Sequence, residues 1–253
     1  MAQSTQEPVA TPNSSDASWR SLYIVGGATA LITIGVGIAE ILISFLPGGS
    51  IADPTVAEWF AQFQQSWFLG LRNMGLLNIF LVLLGVPTFL ALYGAHRRVN
   101  PAYAALAVIL SLIGVAVFLA TNRAFAMYEL SRQYAAATTD VQQAALIAAG
   151  QTMLSVGRGH TPGSFLAFFL SEVAGIVMSA VMLKGRIFSK AAGYAGLAGF
   201  SILLVFDVTS AFAPGLDSMA KLLSMVGGLL TLVWQILVAR GLFQLAKEKQ
   251  PTS

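Results

Sequence analysis

Residues 163–190 read GSFLAFFLSEVAGIVMSAVMLKGRIFSK. Between Gly163 and Leu183 the only charged side chain is Glu172, and the stretch then closes on Lys184, Gly185 and Arg186. At ~1.5 Å per residue, about 20 apolar residues in a helix cover the ~30 Å hydrocarbon layer of a bilayer. The segment has to be helical there, because lipid offers no partner to backbone N–H and C=O groups. A basic turn is what the cytoplasmic end of a span carries. This stretch therefore reads as one membrane span with a carboxylate inside it.

Five more segments share its character. Together the six run over about 21–46, 71–95, 101–122, 163–184, 191–212 and 220–243. Stop signals separate them: Leu46-Pro47-Gly48-Gly49, Arg97-Arg98-Val99-Asn100-Pro101, Gly185-Arg186 with Ser189-Lys190, and Pro214-Gly215. The whole composition agrees. Only 10% of the 253 residues are charged, against roughly 25% in a soluble domain. Hydrophobic residues make up 56% and the mean hydropathy is +0.74. An ordinary soluble enzyme and a disordered chain are excluded on those figures. With 14 basic and 11 acidic side chains and no basic cluster to follow a phosphate backbone, so is a nucleic-acid binder.

Lys and Arg set the orientation. Arg20, Arg97, Arg98, Lys184, Arg186, Lys190, Arg240, Lys247 and Lys249 fall on one side, and Arg72, Arg123, Arg132, Arg158 and Lys221 on the other. The first set occupies short loops and tails, so both termini are expected in the cytoplasm of a multi-pass cell-membrane protein. Trp19 and Tyr23 then sit at the inner interface, and Trp59 and Trp67 at the outer one. Residues 1–18 read as a disordered cytoplasmic tail, 19–246 as the transmembrane domain and 247–253 as a second cytoplasmic tail.

Two outer segments carry helical signals. Val56, Trp59, Phe60, Phe63 and Trp67 recur at helical spacing within 53–69, with Asp53 as cap and Pro54 in the first turn. That aromatic face is expected to lie flat in the outer headgroup zone. Residues 140–155 predict a second helix, within a loop over 123–162. The fold class is thus all-α: a polytopic membrane helix bundle with six transmembrane helices and one or two outer interfacial helices.

Chemistry is narrowed by what is missing. Cysteine is absent, and His96 and His160 are the two histidines. No zinc motif, P-loop or Gly-x-Ser-x-Gly elbow occurs, so no metal and no cofactor is implied. The informative groups are polar side chains within spans. A charge at the bilayer centre costs at least ~2.5–3.5 kcal/mol and so faces the bundle interior with a partner. Glu40 and Asp207 lie ~9 Å and ~8 Å from the outer ends of their spans, and Glu172 lies ~14 Å deep. Asn73, Asn78 and Asn122 share that level, with Arg72 and Arg123 at its rim as natural partners for the carboxylates. The expectation is an outward-facing polar pocket walled by spans one to five and built on Glu172, Glu40, Asp207, Arg72, Asn78 and Arg123. The same charges also serve, with no ligand, to set helix register. Gly157–Gly163, with His160 in it, reads as a flexible solvated turn.

Phe89-Leu90-Ala91-Leu92-Tyr93 leading into Arg97-Arg98-Val99-Asn100, and Gly185-Arg186-Ile187-Phe188-Ser189-Lys190 leading into Gly193-Tyr194-Ala195-Gly196, carry a resemblance. The chain resembles an uncharacterised bacterial family of six-span integral membrane proteins of unknown function. The resemblance implies topology and a bacterial inner-membrane setting, and no reaction or functional residues.

The favoured reading is a protein that binds or moves a small amphipathic or lipid-like molecule through the outer-half pocket. A membrane-embedded enzyme that modifies an isoprenoid or lipid with a carboxylate acid is the second reading. An accessory or sensory membrane subunit is the third. The partners implied are the lipid bilayer and a lipid-like small molecule, with no nucleic acid, and the oligomeric state stays open.

Overall fold

A computed structural model describes residues 13–44, 54–157, 160–213 and 215–247, and all regular structure among them is helical. The helices are α1 (Asn13–Ser44), α2 (Val56–Gln65), α3 (Trp67–Asn73), α4 (Leu76–His96), α5 (Pro101–Thr121), α6 (Ala124–Ala136), α7 (Asp140–Gly157), α8 (Phe165–Gly185), α9 (Lys190–Phe212) and α10 (Asp217–Lys247). Six stretches are long and apolar enough to cross a membrane. They lie on α1, α4, α5, α8, α9 and α10, and the one on α5 runs on into α6. The first helix takes in residues 13–18, which the sequence assigns to the tail; residues 1–12 and 248–253 lie outside the described residues.

The six long helices close a circuit. In chain order each packs on the next, and α10 returns to α1. Short turns at 97–100 and 186–189 make those neighbours antiparallel, so an even number of helices brings both termini to one end. Arg20 Nε on α1 donates to the Ala246 carbonyl on α10 at 2.7 Å, which ties that end together.

Packing differs between the two ends. Ala91 and Leu92 of α4, Ala107 and Val108 of α5, Met178 and Met182 of α8, Ala192 of α9, and Trp234, Val238 and Leu242 of α10 form the main core. Each group belongs to the half of its helix nearer the termini. Alanines at these contacts let backbones approach, which is how helices gain packing energy where lipid removes the hydrophobic drive. Among the described residues the opposite half of the bundle has no comparable core.

That opposite end carries a cap. Helices α2, α3, α6 and α7 bury Val56, Trp59, Phe60, Phe63, Leu71, Met74, Ala124 and Met127 in a second, smaller core. The aromatic face of 53–69 is therefore not laid on headgroups. Phe60 and Phe63 pack on Tyr134 and Tyr128 of α6, and Ser131 Oγ of α6 donates to the Phe60 carbonyl at 3.0 Å. Of the expected outer tryptophans, Trp59 is 9% exposed in this core and Trp67 is 56% exposed. The sequence left 124–136 as loop because its apolar residues are diluted by Glu129, Arg132 and Gln133, yet it supplies the partner that aromatic face needs.

The expected helix over 53–69 is two. Ser66 breaks it, capping α3 with its hydroxyl on the Leu69 N–H at 3.3 Å. Leu71 belongs to α3 rather than to the second span, which starts at Leu76 after Gly75 turns the chain with φ +97°. Asp53 lies outside the described residues, and the cap of α2 is Thr55. Glu58 Oε2 accepts from the Thr55 N–H at 2.6 Å and from its hydroxyl at 2.9 Å, while Thr55 Oγ1 accepts from the Glu58 N–H at 3.2 Å. This reciprocal box satisfies helix donors that have no intrahelical partner.

A pH dependence follows. The Thr55 N–H, and then its hydroxyl, hold the Glu58 carboxyl below the usual carboxylate range. A depressed carboxyl stabilises the fold above its ordinary range, and that contribution is lost as pH falls through the lowered value. Protection of the first-turn amides of α2, measured against the intrinsic exchange rate at each pH, should therefore weaken on acidification. Glu58→Gln should remove the step; an identical pH profile in that variant would contradict the box's role.

Candidate functional site

Where the main core ends, below the cap, the bundle opens. A cavity of about 390 Å³ lies between the cap-side halves of α4, α5 and α8. Ligand pockets start at roughly 300 Å³, so the space is large enough for a small molecule. Its wall is ordered by depth. Asn73, Asn122, Arg123, His160 and Ser164 stand at the cap side. Leu81, Val82, Phe118 and Phe168 lie farther into the bundle.

Each polar side chain is held by local structure. Asn122 ends α5, and its Oδ1 accepts from the Ala124 N–H at 3.1 Å, so the amide bridges the break between α5 and α6. Arg123 follows that break and donates from Nη1 to the Leu154 carbonyl of α7 at 3.2 Å. It also lines a second space of about 300 Å³ with Pro54, Trp59, Leu154, Ser155 and Thr161. Arg123 thus stands between the bundle cavity and the underside of the cap. Asn73 Oδ1 accepts from Arg72 Nε at 2.8 Å.

His160 is the residue that sequence reasoning missed. It does lie in a turn, but its side chain is engaged rather than simply solvated. Its Nδ1 lies 2.7 Å from Asp207 Oδ1 of α9, and its ring sits against Phe168 and Phe206 at centroid distances of 4.5 and 4.6 Å. The Asp207 side chain is 3% exposed and that of His160 40%, so the imidazole shields the carboxylate and itself faces the cavity. A buried carboxylate needs such a partner. With Nδ1 turned to Asp207, Nε2 is the ring nitrogen left to meet a ligand. Nothing local in Gly-His-Thr-Pro-Gly foretells this. The available signal was positional: the histidine precedes a span at the end where the carboxylates lie.

The expected site residues divide accordingly. Asn78 and Arg123 line the cavity. Asp207 stands behind His160, and Arg72 stands behind Asn73. Glu172 is 9% exposed on α8, one turn beyond Phe168. Its Oε2 is buried with no hydrogen-bond partner. Glu40 lies on α1, and its side chain is outside the described residues. The cavity wall comes from α4, α5, α8 and the chain around them, fewer elements than the five spans expected. No three His, Asp or Glu side chains among the described residues converge as a metal site.

Six long apolar helices, a folded cap and a cavity between them define a polytopic helical membrane protein. The chain matches, over residues 24–241, the family described as Domain of unknown function (DUF4386), and it belongs to that family. The match runs from α1 to α10 and so takes in the cap and every residue of the cavity wall. No curated protein and no solved structure matches the chain.

Proposed function

We propose that this protein binds or moves a small amphipathic molecule through the cavity beneath its cap. One observation carries the reading: the wall is polar at the cap side and apolar deeper in, as a molecule with a head and a chain requires. The basic residues of the turns gather at the termini end, which supports a cytoplasmic location for both termini and an outer location for the cap.

The experiment is native mass spectrometry of the full chain in mild detergent, wild type beside Val82→Trp. Tryptophan at 82 fills the apolar floor while the polar mouth stays intact. A discrete adduct on the wild type that is missing from the variant is the expected result. Bare protein in both samples, or an adduct that survives the substitution, overturns it.

One observation favours the second reading, an enzyme acting on a lipid or isoprenoid. An imidazole oriented by a carboxylate is a common general acid–base arrangement, and His160 on Asp207 has that form. Product turnover in membranes that disappears in Asp207→Asn would select it.

A further inference from the structure

We infer that the cavity selects an anionic head group on a single apolar chain, such as an alkyl sulfonate, carboxylate or phosphate monoester, seated between Arg123 and His160. The inference rests on the reading of the cavity as an amphiphile site and names its ligand class.

The charge arrangement points that way. Arg123 and His160 are the ionisable side chains on the cavity wall, and no described carboxylate is on it. Asp207 is reached through His160, and Glu172 lies beyond Phe168 on α8. A negative head would therefore touch the cation and the imidazole, with both carboxylates one layer away.

Hydrogen-bond polarity points the same way. The carbonyl oxygen of the Asn122 amide is spent on the Ala124 N–H, so its NH₂ is the group turned to other partners. The carbonyl oxygen of Asn73 is likewise held by Arg72. A guanidinium carries five N–H donors and no acceptor. The mouth is thus rich in donors, which is what the oxygens of an anionic head accept from.

Depth and size set the rest of the ligand. Phe118 lies ~6 Å below Asn122 on α5, and Val82 lies ~6 Å below Asn78 on α4. A chain attached to the head would run down between them. At ~30 Å³ for each water, a space of this volume holds about thirteen waters. That suits one head with a short length of single chain.

The test uses the full chain in a maltoside detergent with three probes: decanesulfonate, decyltrimethylammonium and methanesulfonate. Decanesulfonate should bind at least about tenfold more tightly than either of the other two. His160→Gln should weaken decanesulfonate and leave decyltrimethylammonium unchanged. Arg123→Gln should weaken decanesulfonate about tenfold and leave decyltrimethylammonium unchanged, which keeps the test open if the histidine variant does not fold. Equal binding of the two decyl probes overturns the anion inference and leaves an amphiphile site. Methanesulfonate binding as tightly as decanesulfonate overturns the chain requirement and makes this a site for free anions. No binding by any probe, in protein that melts cooperatively, overturns both this inference and the reading beneath it.

Discussion

Gly196→Ala should lower the melting temperature of the detergent-solubilised protein sharply, and Gly196→Val more so. A Cβ at position 196 of α9 would fall inside contact distance of Ser179 Oγ on α8 and of the Trp234 ring on α10. Trp234 has little room to yield. It is fully buried, with Phe200 and Phe89 against it at centroid distances of 5.0 and 6.2 Å. Three helices meet at this point, so relief needs one of them to shift. Overpacking of a dense core costs about 1–3 kcal/mol and occasionally more. Gly228 on α10 supplies the control, since a Cβ there meets nothing within 4 Å. Gly228→Ala should be neutral or stabilising by up to ~1 kcal/mol, because glycine in a helix interior is disfavoured by about that much. Equal melting temperatures for the two alanine variants would refute the argument.

Glu172→Met should shift the melting temperature the other way. The carboxyl is buried, and its Oε2 has no hydrogen-bond partner. A buried polar atom left unsatisfied costs about 1–3 kcal/mol, and an apolar side chain of similar length removes that cost. Methionine adapts its shape to an irregular space. A gain of about 1–3 kcal/mol is the expected result, read as a higher midpoint in the same detergent. A loss would mean that the carboxyl is a structural member of its surroundings. If stability rises while ligand binding falls, the glutamate is kept for function at a cost in stability, as polar groups in functional sites often are.

The candidate site was partly legible. Asn78 and Arg123 were expected in it from their level within the spans, and both line the cavity. Level is readable because rise per residue is constant along a helix. Rotation is harder to read. Asp207 and Glu172 share the level but are not on the wall: His160 covers Asp207, and Glu172 lies a turn beyond Phe168. The cap was legible in its aromatic helix and in α7, predicted over 140–155 and found over Asp140–Gly157. The part that was not legible, α6, has a weak apolar pattern and gains its helix from the face it covers.

By itself the sequence determined the all-helical class, the number of apolar helices long enough to span and the end at which polar groups gather. Lipid allows a spanning backbone little but the helix, and the hydropathy of a 20-residue window reports it directly. Tertiary structure alone decided which side chains meet. His160 and Asp207 are 47 residues apart, and their bond depends on how the turn before α8 folds back over α9. The burial of Trp59, Phe60 and Phe63 depends likewise on α6 arriving from the far end of α5. Contacts of that kind are set by helix rotation and loop path together, and a local hydrophobic period encodes neither.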